Sequence, residues 1–471
     1  MPVGTVRSAC ADFLRGIPPG YMGPSCAAGA LLAACVWHAA AVNIPFRRVA
    51  TSPAPRSRVA AVYDVGDPFG FQNLNNNVYA AEIIVQGANF TAQLDTGSSD
   101  FWVDSSLVQN NASFANATNT GFNATSGLIL VVDVTFGNFT IFGQAMIDAI
   151  GTNATEGTNI TALVGLGAPA SSSSSIVASL SDDPQINDSP LMNNLFDIYP
   201  DVDNYMTFLL SRASLYDDTA GGVLTVGEVS DEWPGIQDTE QLPVLLSDAW
   251  ATVIDGFVVN GRTLTDTSKT LPNGPPQMLT LFDTGTARAL APAEVVDAMY
   301  RDLPGAEFDG CCQYTLPCAT LTNISVIIGG QLFPIHPIDA VVVPAAGEEQ
   351  RADADTSVCV SAFSYLSPNN VDAILGDTFL RNAYALYYFG NWTRQDDGPP
   401  YMQLLSTTNA TAAAAEFGAL NDARQTARKA AQQSSPSIGT TSGAQRSVPL
   451  WPTFVSLLSV LMSRELAALI S

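Results

Sequence analysis

Two stretches, Gln93-Leu-Asp95-Thr96-Gly97-Ser98-Ser-Asp-Phe-Trp102-Val103 and Leu281-Phe-Asp283-Thr284-Gly285-Thr286-Ala-Arg-Ala-Leu290, decide how this chain is read. A lone Asp-Thr-Gly is a common turn after a strand and carries little information. Here it occurs once in each half, each time after an apolar β-like run and each time followed by a hydroxyl residue. An aspartate at a strand end is presented to a cleft, glycine permits a tight turn and close backbone approach, and the Ser98 or Thr286 hydroxyl can hydrogen-bond the carboxylate from outside. If the halves bring Asp95 and Asp283 within hydrogen-bonding range, both cannot ionise, and the site then holds one acid and one base. A water between them becomes the nucleophile: one carboxylate takes its proton while the other carboxyl protonates the attacked carbonyl oxygen.

A second pair of segments follows the same order. Ala162-Leu-Val-Gly165 lies downstream of the first motif and Ala373-Ile-Leu-Gly376 downstream of the second. Recurrence of Asp-Thr-Gly and then apolar-apolar-Gly predicts an internal duplication with pseudo-twofold symmetry. From about Val78 to Gln403 the chain alternates short β-like runs (AEIIVQG, GLILVVDVTFG, VIDGFVVNG, YALYYFG) with Gly, Asn and Pro, a mostly β pattern. Glu294 to Tyr300 reads as a short helix with Pro292 near its start.

Composition narrows the chemistry. The 471 residues are 47% hydrophobic, enough for two lobes with their own cores. The net charge of −25, with Lys269 and Lys429 as the only lysines, disfavours binding to nucleic acid or anionic lipid. An acidic surface suits a protein that works in acid, where its self-repulsion relaxes, and equally suits one that is merely soluble. Only two histidines occur, His38 in an N-terminal apolar stretch and His336 in Pro-Ile-His-Pro. That scarcity argues against Ser-His-Asp, Cys-His and zinc-peptidase chemistry, so carboxylates are left as the acid-base groups, with no cofactor expected.

The ends read as processing signals. Ala27 to Val42 is an apolar run of signal-peptide length, with Ala39 and Ala41 where a signal peptidase could cut and Met22 as a plausible start; a buried helix of the mature fold is the alternative. We therefore divide the chain into a signal region with its extension (1–41), a short basic propeptide (42–70), a first lobe (71–235), a second lobe (236–405), a polar linker (406–447) and a hydrophobic tail (448–471). The tail resembles a GPI-attachment signal, interrupted by Arg464 and Glu465, with a frayed amphipathic helix as the alternative. Eleven Asn-x-Ser/Thr sequons, among them Asn89, Asn123, Asn138, Asn187 and Asn323, point to a secreted protein, or a cell-surface one if anchored; Asn187 is the poorest, because Pro190 follows its Ser189. Beyond the signal region the cysteines are Cys311, Cys312, Cys318 and Cys359. Adjacent cysteines bond to one another only in a strained turn, which favours Cys318 with Cys359 and leaves Cys311 and Cys312 open.

Taken together, the twin motifs, Trp102 after the first, Gly221-Gly-Val-Leu-Thr-Val-Gly227 and Ile374-Leu-Gly-Asp-Thr-Phe-Leu-Arg-Asn382 make the chain resemble the pepsin-like aspartic proteases over Tyr79 to Leu405, especially secreted fungal members. The resemblance implies a mostly β, bilobal fold with an interlobe cleft for protein or peptide substrates in extended conformation. It also implies a monomer of acidic optimum with no metal, Asp95 and Asp283 as the catalytic pair, and support from Thr96, Gly97, Ser98, Thr284, Gly285 and Thr286. A Cys318–Cys359 disulfide in the second lobe follows by the same resemblance. One departure stands out. The family's flap carries Tyr-Gly-x-Gly, whereas the best match here is Thr120-Gly121-Phe122-Asn123, with Thr120 in place of the tyrosine and Phe122 as a substitute cap. A glycan on Asn123 would lie beside the cleft mouth.

Three readings follow. The chain is an active endopeptidase, a catalytically impaired binding relative with a rebuilt flap, or a glycosidase using two carboxylates. Decayed relatives usually lose a catalytic Asp or its glycine, and neither is lost here; the glycosidase reading leaves the twin repeats unexplained.

Overall fold

The computed structural model describes residues 42–48, 78–107, 118–124, 127–150, 160–170, 172–180, 185–212, 219–265, 269–271, 276–344, 357–367 and 370–434. The expected signal region, most of the basic segment and the hydrophobic tail lie outside the described residues. The first half forms strands β1 (Val42–Arg48), β2 (Tyr79–Val85), β3 (Ala88–Asp95), β4 (Phe101–Val103), β5 (Thr118–Ala124), β6 (Gly127–Phe136), β7 (Phe139–Asp148), β8 (Ala162–Gly165), β9 (Tyr205–Leu210) and β10 (Thr219–Val226). Two short helices, α1 (Ser175–Leu180) and α2 (Leu191–Ile198), interrupt them.

The second half continues with β11 (Leu242–Pro243), β12 (Ala251–Ile254), β13 (Gly256–Val259), β14 (Arg262–Leu264), β15 (Met278–Phe282), β16 (Ala289–Ala291), β17 (Glu307–Phe308) and β18 (Tyr314–Pro317). Then come β19 (Ile324–Ile328), β20 (Gln331–Ile335), β21 (Val341–Val342), β22 (Val358–Ser361), β23 (Phe363–Tyr365), β24 (Ala373–Leu375), β25 (Ala383–Tyr388) and β26 (Tyr401–Ser406). Its helices are α3 (Ala293–Tyr300), α4 (Pro337–Ala340), α5 (Asp377–Leu380) and α6 (Ala410–Ser434). The fold is thus mostly β, and α3 occupies the stretch where the sequence predicts a helix.

Pairing around the two motifs repeats. β3, which ends in Asp95, runs parallel to β8; β8 is antiparallel to β4; β4 is parallel to β7. β15, which leads into Asp283, runs parallel to β24; β24 is antiparallel to β16; β16 is parallel to β23. The two apolar-apolar-Gly segments are therefore the strands beside the two aspartate strands, with Asp95 opposite Gly165 and Phe282 opposite Leu375. Each glycine has a steric reason, since a β-carbon on Gly165 or Gly376 would strike the backbone of the loop after the neighbouring Asp-Thr-Gly.

The halves are not separate sheets. One 13-stranded sheet runs β11-β26-β25-β9-β10-β1-β2-β3-β8-β4-β7-β6-β5, so three second-half strands pair into the first half's sheet. β1, which the sequence reading groups with the basic propeptide, lies in the middle of this sheet, antiparallel to both β10 and β2. Alternation explains why these segments are strands: along β3 Ala92 and Leu94 enter the main core while Asn89, Thr91 and Gln93 are more exposed. A cluster of second-half rings, Trp250 against Tyr387, Phe389 and Trp392, reaches the first half in two places: the Trp250 indole N–H donates to the Leu166 carbonyl at 2.9 Å, and the Phe389 ring lies 5.3 Å from that of Phe196.

Two polar devices reinforce the second half. Cys318 and Cys359 are disulfide-bonded, with Cα atoms 4.9 Å apart; this is the one disulfide among the described residues. Buried Asp339 accepts from Arg212 Nε at 2.6 Å and Arg381 Nε at 2.7 Å. Burial alone would raise the Asp339 pKa, but the two guanidiniums hold it well below the ordinary carboxylate range.

The segment read as a polar linker differs from that expectation: Ala410–Ser434 is a 25-residue helix packed on α4. Alanine-rich sequence favours helix, and Asn409 Oδ1 accepts from the Ala412 N–H at 3.0 Å at its start. Its buried positions, Ala413, Phe417, Asn421, Arg424 and Arg428, lie three or four residues apart on one face. Because three of these five are polar, the face does not register as an apolar stripe. Arg424 donates to the carbonyls of Val341 (2.5 Å), Ile338 (3.2 Å) and Cys318 (3.2 Å), and burial lowers its pKa to about 10. His336 caps α4 by accepting from Ile338 N–H and meets Glu416 of α6 at 3.0 Å. Among the described residues no helix is long and apolar enough to cross a membrane. Arg424→Ala should lower stability by about 1–3 kcal/mol, because buried carbonyls lose their donors, while exposed Lys429→Ala should change it by less than about 0.5 kcal/mol; thermal or urea unfolding of the two variants checks this.

Candidate active site

The aspartates are held by the turns that follow them. Gly97 N–H donates to Asp95 Oδ1 at 2.8 Å and the Ser98 hydroxyl to Oδ2 at 2.5 Å. In the second half Gly285 N–H donates to Asp283 Oδ1 at 2.7 Å and the Thr286 hydroxyl to Oδ2 at 2.5 Å. Each carboxyl thus receives one backbone and one hydroxyl donor from the turn that follows it.

What brings the halves together is the residue between. Thr96 N–H donates to Thr284 Oγ1 and Thr284 N–H donates to Thr96 Oγ1, both at 3.0 Å. The hydroxyls complete the exchange, Thr96 Oγ1 donating to the Phe282 carbonyl at 3.0 Å and Thr284 Oγ1 to the Leu94 carbonyl at 2.8 Å. Both threonines are fully buried, so breaking any of these bonds leaves a polar group without solvent. The glycines permit the closeness: a β-carbon on Gly97 would come within 2.6 Å of Asp283 Cγ, and one on Gly285 within 2.6 Å of Asp95 Cγ.

Asp95 is 9% exposed and Asp283 2%. Burial, the facing Asp283 charge and a hydrogen bond to Asp283 push the Asp95 pKa up to about 8, against the opposing pull of Ser98 and Gly97. The pair therefore retains one proton well above the pH at which an ordinary carboxyl has lost it.

Other residues at the site carry no motif. Gln93, two positions before Asp95 on the same face of β3, reaches the Gly285 carbonyl through Nε2 at 3.5 Å; strand alternation counted back from Asp95 finds it. Buried Tyr387 of β25 lies beside Thr96 and Asp283, and its pKa is raised, first by burial. Asp100 fixes the loop after the first motif by accepting from Ser174, Ser175 and Ile176 at the start of α1. Trp102 packs half-buried against Ile129, Ala145 and Ile147. Thr120, Gly121 and Phe122 lie in β5, where the pairing to β6 shifts between Asn119 and Asn123, and only their backbone is described. No group of His, Cys, Asp and Glu among the described residues has the arrangement of a metal site.

Paired carboxyls at the meeting of two duplicated β halves define a class of protein, and comparison with known proteins agrees with it. The model of the eukaryotic aspartyl protease family matches residues 78–394, and the chain belongs to that family. It is similar to "Aspartic protease" of Phaffia rhodozyma, 25% identical over 339 residues, covering 67% of this chain and 75% of that protein. It is likewise similar to mouse gastricsin, 25% identical over 333 residues, covering 64% and 76%. The similarity to "Probable aspartic-type endopeptidase CTSD" of Arthroderma benhamiae, 28% over 140 residues, spans 30% of this chain and only 24% of that relative. Helix α6 lies beyond the matched region.

The raised Asp95 pKa predicts a pH dependence of stability. Between the ordinary value of 3.8 and about 8 the folded state binds more protons at this group than the unfolded chain, so its contribution to stability falls as pH rises through that window. Urea midpoints measured from pH 4 to pH 8 should decline, and Asp95→Asn should flatten the decline.

Proposed function

We propose that the chain is an aspartic-type endopeptidase that hydrolyses peptide bonds in proteins, with Asp95 and Asp283 as the catalytic pair. The observation that carries this reading is the meeting of two buried carboxyls, each fixed by its own glycine N–H and hydroxyl, with the Asp95 pKa pushed up by burial and by the facing Asp283. That two carboxyls at such range share a proton is the standard behaviour of aspartic protease dyads. The ionised carboxylate takes a proton from a water as it attacks the peptide carbonyl, and the protonated carboxyl gives its proton to the carbonyl oxygen. On collapse of the tetrahedral intermediate the roles reverse and the leaving amine is protonated. Gly97 and Gly285, bare of side chains, leave room for the opposite carboxyl and so let the two acids face one another. Family membership supports peptide or protein substrates, and the name of the similar Arthroderma benhamiae protein, an aspartic-type endopeptidase, supports endopeptidase action.

We further propose that the chain follows the secretory route as a monomeric enzyme, on the strength of its N-terminal apolar run, its sequons and its disulfide. Thr120 at the flap position favours a second reading, a binding protein with weak or no turnover, since the flap excludes water and positions substrate.

Denatured haemoglobin or casein should be cleaved at roughly pH 3 to 5, with pepstatin blocking the reaction and Asp95→Asn or Asp283→Asn lowering it by at least about a hundredfold. Activity should vanish in alkali as Asp95 loses its proton near pH 8. Peptide binding without cleavage at any pH would establish the second reading instead. Thr120→Tyr should raise kcat/KM if the missing tyrosine limits turnover; an unchanged value would show a hairpin closed by another residue.

A further inference from the structure

Two sequons stand out by where the sheet puts them. Asn89-Phe-Thr91 opens β3 directly after the turn of Gln86 and Gly87, both of which have positive φ. Asn138-Phe-Thr140 follows Gly137 in the two-residue turn between β6 and β7. In each the middle phenylalanine, Phe90 or Phe139, is buried in the main core while the asparagine is exposed. A strand period of two then sends asparagine and threonine to the opposite, outer face.

The two sites share that face. Asn89 of β3 stands directly opposite Ile84 of β2, Ile84 opposite Thr135 of β6, and Thr135 opposite Thr140 of β7. Four adjacent strands at about 4.8 Å spacing place Asn89 roughly 14 Å from Thr140 across the sheet. On this face lie two exposed apolar side chains, Ile84 (37% exposed) and, two residues beyond Thr140, Phe142 (69% exposed). Sites on neighbouring turns thus flank an apolar patch that the fold itself leaves uncovered. Counted along β3, Asn89 is six residues, about 20 Å, from Asp95, so a group attached there stands clear of the paired carboxyls.

We propose that Asn89 and Asn138 carry N-linked oligosaccharides that roof the Ile84–Phe142 face. The inference rests on the secretory reading and is independent of the catalytic one. In the modification Nδ2 attacks the anomeric carbon of a lipid-diphosphate-linked oligosaccharide; a C–N bond forms, the C–O bond to the diphosphate breaks, and the amide proton leaves with the lipid diphosphate. Asn187 is the internal contrast, because its Nδ2 donates to Asn194 Oδ1 at 2.6 Å and its Oδ1 accepts from Ser189 N–H at 3.0 Å.

The test is glycopeptide mapping of the full chain recovered from the medium of a secreting yeast. The expected result is oligosaccharide on Asn89 and Asn138 and none on Asn187. Bare Asn89 and Asn138 beside occupied sequons elsewhere would overturn this inference alone; a chain with no sequon occupied would overturn it together with the secretory reading. For the roof, enzymatic removal of the glycans from the folded protein should raise the emission of an apolar-surface dye, and the rise should be lost in Ile84→Thr/Phe142→Ser. The variant Asn89→Gln/Asn138→Gln should show the higher emission without enzyme treatment. An unchanged emission on removal, or a patch shielded instead by a co-purifying protein, would refute the roof.

Discussion

The reciprocal pairing of Thr96 with Thr284 is the constraint on which the rest of the molecule depends. Each threonine gives its N–H to the other's hydroxyl and its own hydroxyl to the carbonyl just before the opposite aspartate, so the strand ends carrying Asp95 and Asp283 cannot separate without breaking four buried hydrogen bonds. Like charges would otherwise drive two carboxyls apart. The threonines supply the opposing restraint from groups that carry no charge, and the acidic pair is relieved by keeping a proton.

Other cross-chain devices act with that restraint. The 13-stranded sheet passes from one half into the other, the second-half ring cluster around Trp250 touches Leu166 and Phe196 of the first, and the Arg212–Asp339–Arg381 group ties the end of β9 to α4 and α5. The two buried acids respond to pH in opposite senses: Asp339 withdraws stabilisation as it is protonated in acid, and Asp95 withdraws it as it ionises toward alkali. Helix α6 adds a layer outside the family's matched region, and it does so with arginines on backbone carbonyls in place of an apolar stripe.

Much of the site was legible because its parts are contiguous. Asp95, Gly97 and Ser98 bond within one turn, as do Asp283, Gly285 and Thr286, so a string of a few residues contains the whole local arrangement. Helix α3 could be read for the same local reason, whereas the disulfide, whose cysteines stand 41 residues apart, was read from the small set of cysteines and from the family resemblance. Gln93 and Tyr387 escaped notice because their relevance lies in what they face across the molecule. Helix α6 was mistaken for linker because its buried Asn421, Arg424 and Arg428 look solvent-seeking until the carbonyls of Cys318, Ile338 and Val341 are seen opposite them.

By itself the sequence determined the two aspartate turns, the duplicated strand order and the mostly β character, since these follow from short-range spacing, glycine sterics and alternation. Only the tertiary structure decided that the turns meet, that the pair keeps a proton, and that a basic stretch and a polar stretch become a central strand and a docked helix. Those outcomes depend on burial and on partners far along the chain, such as Thr96 and Thr284, 188 positions apart, and no local pattern encodes such a partner's distance or its dielectric surroundings.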